Sequence, residues 1–197
     1  MAAWQRVVIG GMILISVAVA VCGLFLLARY RAAAGPRGAV PERWPTDSRL
    51  ARNPERPVLV VFVHPGCSCT RATLDELAEI ADQVGGGCAL AVVVADDVPH
   101  PASSEIAVRA RAIPGVRVVI DRDRAEARRF GALTSGHAVL FGRDGRRLFS
   151  GGITDARGRT GDSIGRAQIV ARLRGEPAVD ATPVFGCELG KPAEDTP

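Results

Sequence analysis

The run Pro57-Val58-Leu59-Val60-Val61-Phe62-Val63 leads directly into His64-Pro65-Gly66-Cys67-Ser68-Cys69-Thr70, and from there into apolar positions at Leu74, Leu77, Ile80, Ala81 and Val84. The first piece is β-branched and apolar, as a strand is; the last repeats at helical spacing. Strand, tight turn, helix constrains this chain more than any other feature, because it sets two thiols at the start of a helix. Unpaired N–H groups and the positive end of the helix dipole stabilise a thiolate there. The thiolate is the form of cysteine that attacks disulfides and binds metals. Cys67 and Cys69 are therefore candidate reactive residues.

The pattern continues as alternating strands and helices. Strands are expected at 58–63, 88–94 and 116–120, and helices at 70–84, 103–112 and 124–130. The run 88–94 is apolar throughout, as in a strand buried on both faces. A hairpin follows, 137–141 and 147–150, joined by Arg143-Asp144-Gly145-Arg146, whose Asp-Gly pair is a hairpin-turn signal. A last helix is expected at 163–174, capped by Asp162 or Ser163. Strands separated by helices pair in parallel and a hairpin adds antiparallel strands, so the expected fold is α/β, a mixed sheet flanked by helices. No internal repeat interrupts it.

An apolar, uncharged stretch at 7–28 precedes this domain. At about 22 residues it is long enough to cross a bilayer as one helix, and longer than the usual signal-peptide core. An anchor is the reading adopted, with a cleaved signal peptide, ending at Ala32-Ala33-Ala34, as the alternative. Cys22 within it reads as a lipid-facing or packing residue. The division expected is an anchor at 1–30, a Pro- and Arg-rich linker at 31–56, the domain at 57–175 and a tail at 176–197. Trp44 is a candidate to dock the linker onto the domain. Arg6 before the span and Arg29, Arg31, Arg37 and Arg43 after it favour a cytoplasmic domain by charge. Thiol pairs persist as disulfides mainly outside the cytosol, and on that ground we place the domain on the extracytoplasmic side of the cell membrane, single-pass.

The net charge is +4, but the arginines are scattered among acids. With six Phe, two Trp and one Tyr there is no basic stripe interleaved with aromatics, so nucleic acid is not an expected partner. No G-x-S-x-G, H-E-x-x-H or G-x-G-x-x-G occurs. Residues 151–166 are rich in glycine and arginine; they read as a plain turn with a helix cap, with an anion cradle as the alternative.

The order of elements, with thiols at the first strand-to-helix turn, resembles the thioredoxin fold over roughly Arg56 to Gly175, and in particular membrane-tethered exported thioredoxin-like proteins. More closely it is similar to bacterial RedB-type proteins. The matching pieces are Arg43-Trp44-Pro45, His64-Pro65 with Cys67 and Cys69, Gly151-Gly152-Ile153-Thr154, Arg157-Gly158 with Gly161-Asp162, and Thr182-Pro183-Val184-Phe185-Gly186-Cys187. Aligned on Arg71-Ala72, the resemblance puts Cys67 at the first cysteine position of a C-x-x-C turn and Thr70 at the second, leaving Cys69 one place early. It also puts Gly136 where exported thioredoxins carry a cis-proline, and His137 near the same end of the sheet.

These readings lead to a membrane-anchored thiol–disulfide oxidoreductase in which Cys67 attacks and Cys69 resolves, with Cys187 as a further possible resolving residue. His64, Thr70, Gly136 and His137 are the supporting residues. Its partners are protein thiols or disulfides and, through 7–28, the membrane. It needs no dissociable cofactor, because the cysteines carry the electrons. The alternatives are a copper or other metal site on Cys67, Cys69 and His64, thiols and imidazole being soft donors, or a non-catalytic interaction protein of the same fold. Cys88, opening a buried strand, reads as a small hydrophobe, and His100, between two prolines, as a loop residue.

Overall fold

All six residues of β1 (Val58–Val63) are buried, which requires a protein layer on each side of the strand. A computed structural model describes residues 3–189 of the chain, apart from the side chains of Ala3 and Arg6; Arg6, counted above for orientation, and residues 190–197 of the tail thus lie outside the described residues in whole or part. Side chains alternate along β1. Leu59, Val61 and Val63 join one core with Leu74, Leu77, Ile80, Ile106 and Ile169. Val58, Val60 and Phe62 join a second with Phe130, Phe141 and Leu189.

Around β1 the sheet is completed by β2 (Ala89–Ala95), β3 (Val116–Asp121), β4 (His137–Phe141) and β5 (Arg147–Gly152), in the order β3-β2-β1-β4-β5. β1, β2 and β3 run parallel, while β4 and β5 are antiparallel to their neighbours, with Phe62 opposite His137 and Val58 opposite Phe141. The helices after α1 are α2 (Thr70–Val84), α3 (Glu105–Ala112), α4 (Ala125–Arg129) and α5 (Ile164–Arg174). The first core lies under α2, α3 and α5.

The helices expected at 103–112 and 124–130 start at Glu105 and Ala125, and at each start a side-chain oxygen accepts from the first turn's N–H groups. Proline at 101 opens a separate 3-10 turn, Pro101–Ser103, and Ser104 then caps α3 by accepting from the Ala107 N–H at 3.2 Å. Before α4, buried Asp121 takes the N–H groups of Glu126 and Ala127 at 2.8 and 2.9 Å. β5 extends to Gly152, beyond the expected 150, because Ala138 and His137 of β4 pair with Gly151 and Gly152; the tail lies along it on the other side. Ser150 N–H donates to Asp180 O at 2.9 Å and Gly152 N–H to Pro183 O at 3.1 Å.

The segment expected as a linker carries no helix or strand beyond Ala32, yet it is fastened to the domain. Trp44 packs edge-on against Phe130 and Phe141, each ring centroid 5.2 Å away, and its backbone N–H donates to Gly145 O at 2.8 Å. Leu50 is buried in the same cluster. Residues from Gly35 onward thus help cover the second face of the sheet, with Gly35 N–H bonded to Val184 O and Gly38 N–H to Gly131 O.

The N-terminal part, Met1–Ala33, is a separate unit. Within it α1 (Ala3–Ala32) includes one apolar span, Val7–Ala32, long enough to cross a membrane. Its apolar side chains, and Cys22 among them, are exposed.

Candidate functional site

β1 delivers the chain to the thiol turn, and three hydrogen bonds centred on His64 shape that turn. Its N–H donates to Ser135 Oγ at 2.9 Å, and its carbonyl accepts from the Cys67 N–H at 3.2 Å and the Thr70 hydroxyl at 3.0 Å. Thr70 Oγ1 also lies 3.0 Å from Ser135 Oγ. Cys69 is the N-cap of α2, with no side-chain cap bond, so a thiol stands where serine or aspartate usually supplies an oxygen. Cys67 is two residues earlier, below the helix end rather than on it.

Cys67 is nevertheless the thiol at which hydrogen bonds converge. The backbone N–H of Cys187 donates to its Sγ at 3.4 Å. Burial pushes the Cys67 thiol up, but the Cys187 thiol and N–H, with the Cys69 N–H, outweigh it, and the net shift is downward. The other two thiols respond in the opposite sense. Burial and the neighbouring Cys67 charge raise Cys69, and burial with the hydrogen bond to Cys67 pushes Cys187 up to about 12. Arg157, bonded to the Gly186 carbonyl, is the positive charge opposing both shifts. The arrangement makes Cys67 the most acidic of three thiols in a single cluster.

The cluster is covered. Cys67 is 3% exposed and Cys69 8%, and Cys67 lines a shallow depression of about 210 Å³ with Pro65, Gly66, Ser68, Arg71, Glu105 and Ile106. All five cysteines are free thiols. Cys88 is also buried, and burial pushes it up to about 12, the signature of an inert thiol.

The remaining expected site residues divide. Thr70 and Gly136 are at the cluster's border: Gly136, at φ +90°, sits against Thr73 of α2 and donates its N–H to Phe62 O at 2.7 Å. That backbone conformation favours glycine. His64 shapes the turn instead of facing the thiols. Its Nδ1 accepts from the Gly66 N–H and its Nε2 lies 2.9 Å from Asp97 Oδ2, so neither ring nitrogen is free to join Cys67 and Cys69 around a metal. Among the described residues no group of three or more His, Cys, Asp or Glu side chains is arranged to hold a metal ion. His137 shares the sheet face of Phe62, away from α2, and its Nε2 bonds Ser150 Oγ at 2.8 Å. Fully buried there near Arg37 and Arg147, it is held neutral, with a pKa lowered to about 4.

The residue that sequence reasoning passed over is Ser135. It ties the 131–137 loop to the thiol turn through both hydroxyl contacts, and nothing in its local pattern marks it. Arg157 stood in a noticed motif without a role. The glycine-rich loop around it also finds its partner: the Gly161 N–H and the Arg166 guanidinium each bind buried Glu76 at 2.7 Å. The anion in that cradle is a side chain of the protein itself.

A mixed five-stranded sheet in this order, with thiols at the turn from β1 into α2, is the thioredoxin-like fold. No family model matches the sequence, and no curated protein matches it. Solved structures do. A hypothetical protein of Sinorhizobium meliloti aligns with a TM-score of 0.58 at 22% identity, covering 80% of this chain and 93% of its own. An uncharacterized conserved protein of Geobacillus kaustophilus aligns at 0.58 and 17%, covering 83% and 94%. A candidate thioredoxin of Neisseria meningitidis aligns at 0.51 and 17%, covering 71% and 92%. At these identities the likeness is one of fold.

Proposed function

We propose that the protein is a membrane-anchored thiol–disulfide oxidoreductase of the tethered, RedB-type kind, with its domain outside the cytoplasm. One observation carries the reading: hydrogen-bond donors converge on Cys67 Sγ, while two further thiols stand beside it. A buried cysteine with only a packing role has no use for such donors, and Cys88 has a raised pKa instead. The Cys67 thiolate attacks a partner disulfide, forming a mixed disulfide and releasing one partner thiolate. A second cysteine, Cys69 or Cys187, then attacks the Cys67 sulfur; an internal disulfide forms and the second partner thiol leaves. Two electrons and two protons pass from protein to partner, and the reverse sequence oxidises a dithiol. The electrons reside in the cysteines, so the exchange itself calls for no dissociable cofactor.

The test is trapping of the mixed disulfide with a model disulfide substrate, read by mass spectrometry of the reduced protein. Cys67→Ser abolishes it, and the double variant Cys69→Ser/Cys187→Ser accumulates it, because attack survives and resolution fails. A mixed disulfide that forms equally well in Cys67→Ser overturns the reading. Metal retained by the native protein and lost comparably in Cys67→Ser and Cys69→Ser would establish the copper alternative in its place.

A further inference from the structure

The tail does more than bring Cys187 to the cluster. Residues 186–189 lie antiparallel to the 133–135 loop: Ser135 N–H donates to Cys187 O at 2.8 Å, Leu189 N–H donates to Leu133 O at 2.8 Å, and Thr134 pairs with Glu188. This is strand addition, in which main-chain bonds supply affinity and side-chain positions supply selectivity. The loop is itself tied to the thiol turn through Ser135 Oγ, so pairing with its backbone sets a register relative to Cys67. In that register the tail residue above Cys67 is a cysteine. Cys187 of the tail lies directly against Cys67, its N–H donating to Cys67 Sγ at 3.4 Å, and Cys67 is 3% exposed.

We infer that residues 186–189 are a built-in substrate strand, seated where an extended cysteine-containing segment of a partner polypeptide docks, with Cys187 in the place of the partner's cysteine. This rests on the oxidoreductase reading and names the substrate class of the same site. Two positions set its selectivity. A Cβ at Gly186 would overlap the Ser135 carbonyl, so the residue before the docked cysteine is glycine. Leu189, two residues after it, is buried in the second core with Phe62 and Phe130, so that position is apolar. The partner segment therefore reads glycine, cysteine, any residue, large apolar residue, and it binds as the tail lifts.

The experiment uses the full chain, reduced, and two probes. One is a small aromatic disulfide. The other is a synthetic peptide of residues 184–189 as its disulfide-linked dimer, beside a counterpart with alanine in place of the glycine. Cys67 attacks the dimer; a Cys67–peptide bond forms, the peptide–peptide bond breaks, and one peptide leaves as thiolate. With Cys187→Ser, which keeps the tail docked, exchange with the glycine peptide is slow; adding Gly186→Ala lifts the tail and speeds it about tenfold or more, while the alanine peptide lags the glycine peptide by about tenfold. The peptide comparison is also made on the wild-type chain, so the outcome does not depend on the variant folding. Equal rates for the two peptides overturn the built-in substrate strand. Loss of Cys67-dependent exchange with the small disulfide overturns the oxidoreductase reading beneath it.

Discussion

A buried thiol becomes inert or reactive according to what donates to it. Cys67 and Cys88 are 3% and 4% exposed, yet their acidities move in opposite directions, because several donors converge on Cys67 and burial dominates at Cys88. His137 shows the same balance for a base. Burial, with Arg37 and Arg147 nearby, lowers its pKa from 6.5 to about 4. The unfolded chain therefore binds the proton first as pH falls. Stability is full above about 6.5, declines between 6.5 and about 4, and levels off below, a loss of roughly 3 kcal/mol in all. Urea unfolding across that range measures it, and His137→Gln removes the slope. A variant that keeps the full slope places the titrating group elsewhere.

At the scale of elements, α2 and α5 are joined by more than apolar packing. Glu76 of α2 is 2% exposed and receives both the Arg166 side chain of α5 and the Gly161 N–H of the preceding loop. Removing one partner of a buried pair strands the other, at a cost of about 3 kcal/mol. Glu76→Ala is expected to lower stability by that order in urea unfolding and to speed hydrogen exchange at the Gly161 amide. A loss within about 0.5 kcal/mol, as at an ordinary surface site, shows the pair to be dispensable. The cap of α5 is independent of it: Ser163 accepts from the Arg166 N–H at 3.2 Å.

At the scale of the molecule, the sheet needs a layer on each face, and helices supply only part of the second. Trp44, Leu50 and Leu189 supply much of the rest, from segments on either side of the helix–sheet unit. Those segments are therefore structural members of the domain that the apolar helix precedes. The membrane side remains a proposal with a direct test. In fusions made after Arg31, a reporter active only in the periplasm works and one active only in the cytosol is silent. The reverse pattern puts the thiols in a reducing compartment and makes the protein a reductant there.

By itself the sequence determined what is local. β1, the thiol turn and α2 follow from period-2 and period-3.6 patterns and from turn chemistry, and the 143–146 turn and the Ser163 cap are likewise written in adjacent residues. Only the tertiary structure decided which thiols meet and which of them is made more acidic. Cys187 reaches Cys67 across 120 residues and Ser135 reaches Thr70 across 65, and neither separation leaves a periodic trace. The placement of His137 away from the thiols likewise depends on β4 pairing with β1 in one register, since a shift of one residue would turn its side chain to the other face. Local conformational preference is encoded within a few residues of itself. The acidity of a buried group depends on every donor and charge packed around it, and only the folded chain assembles them.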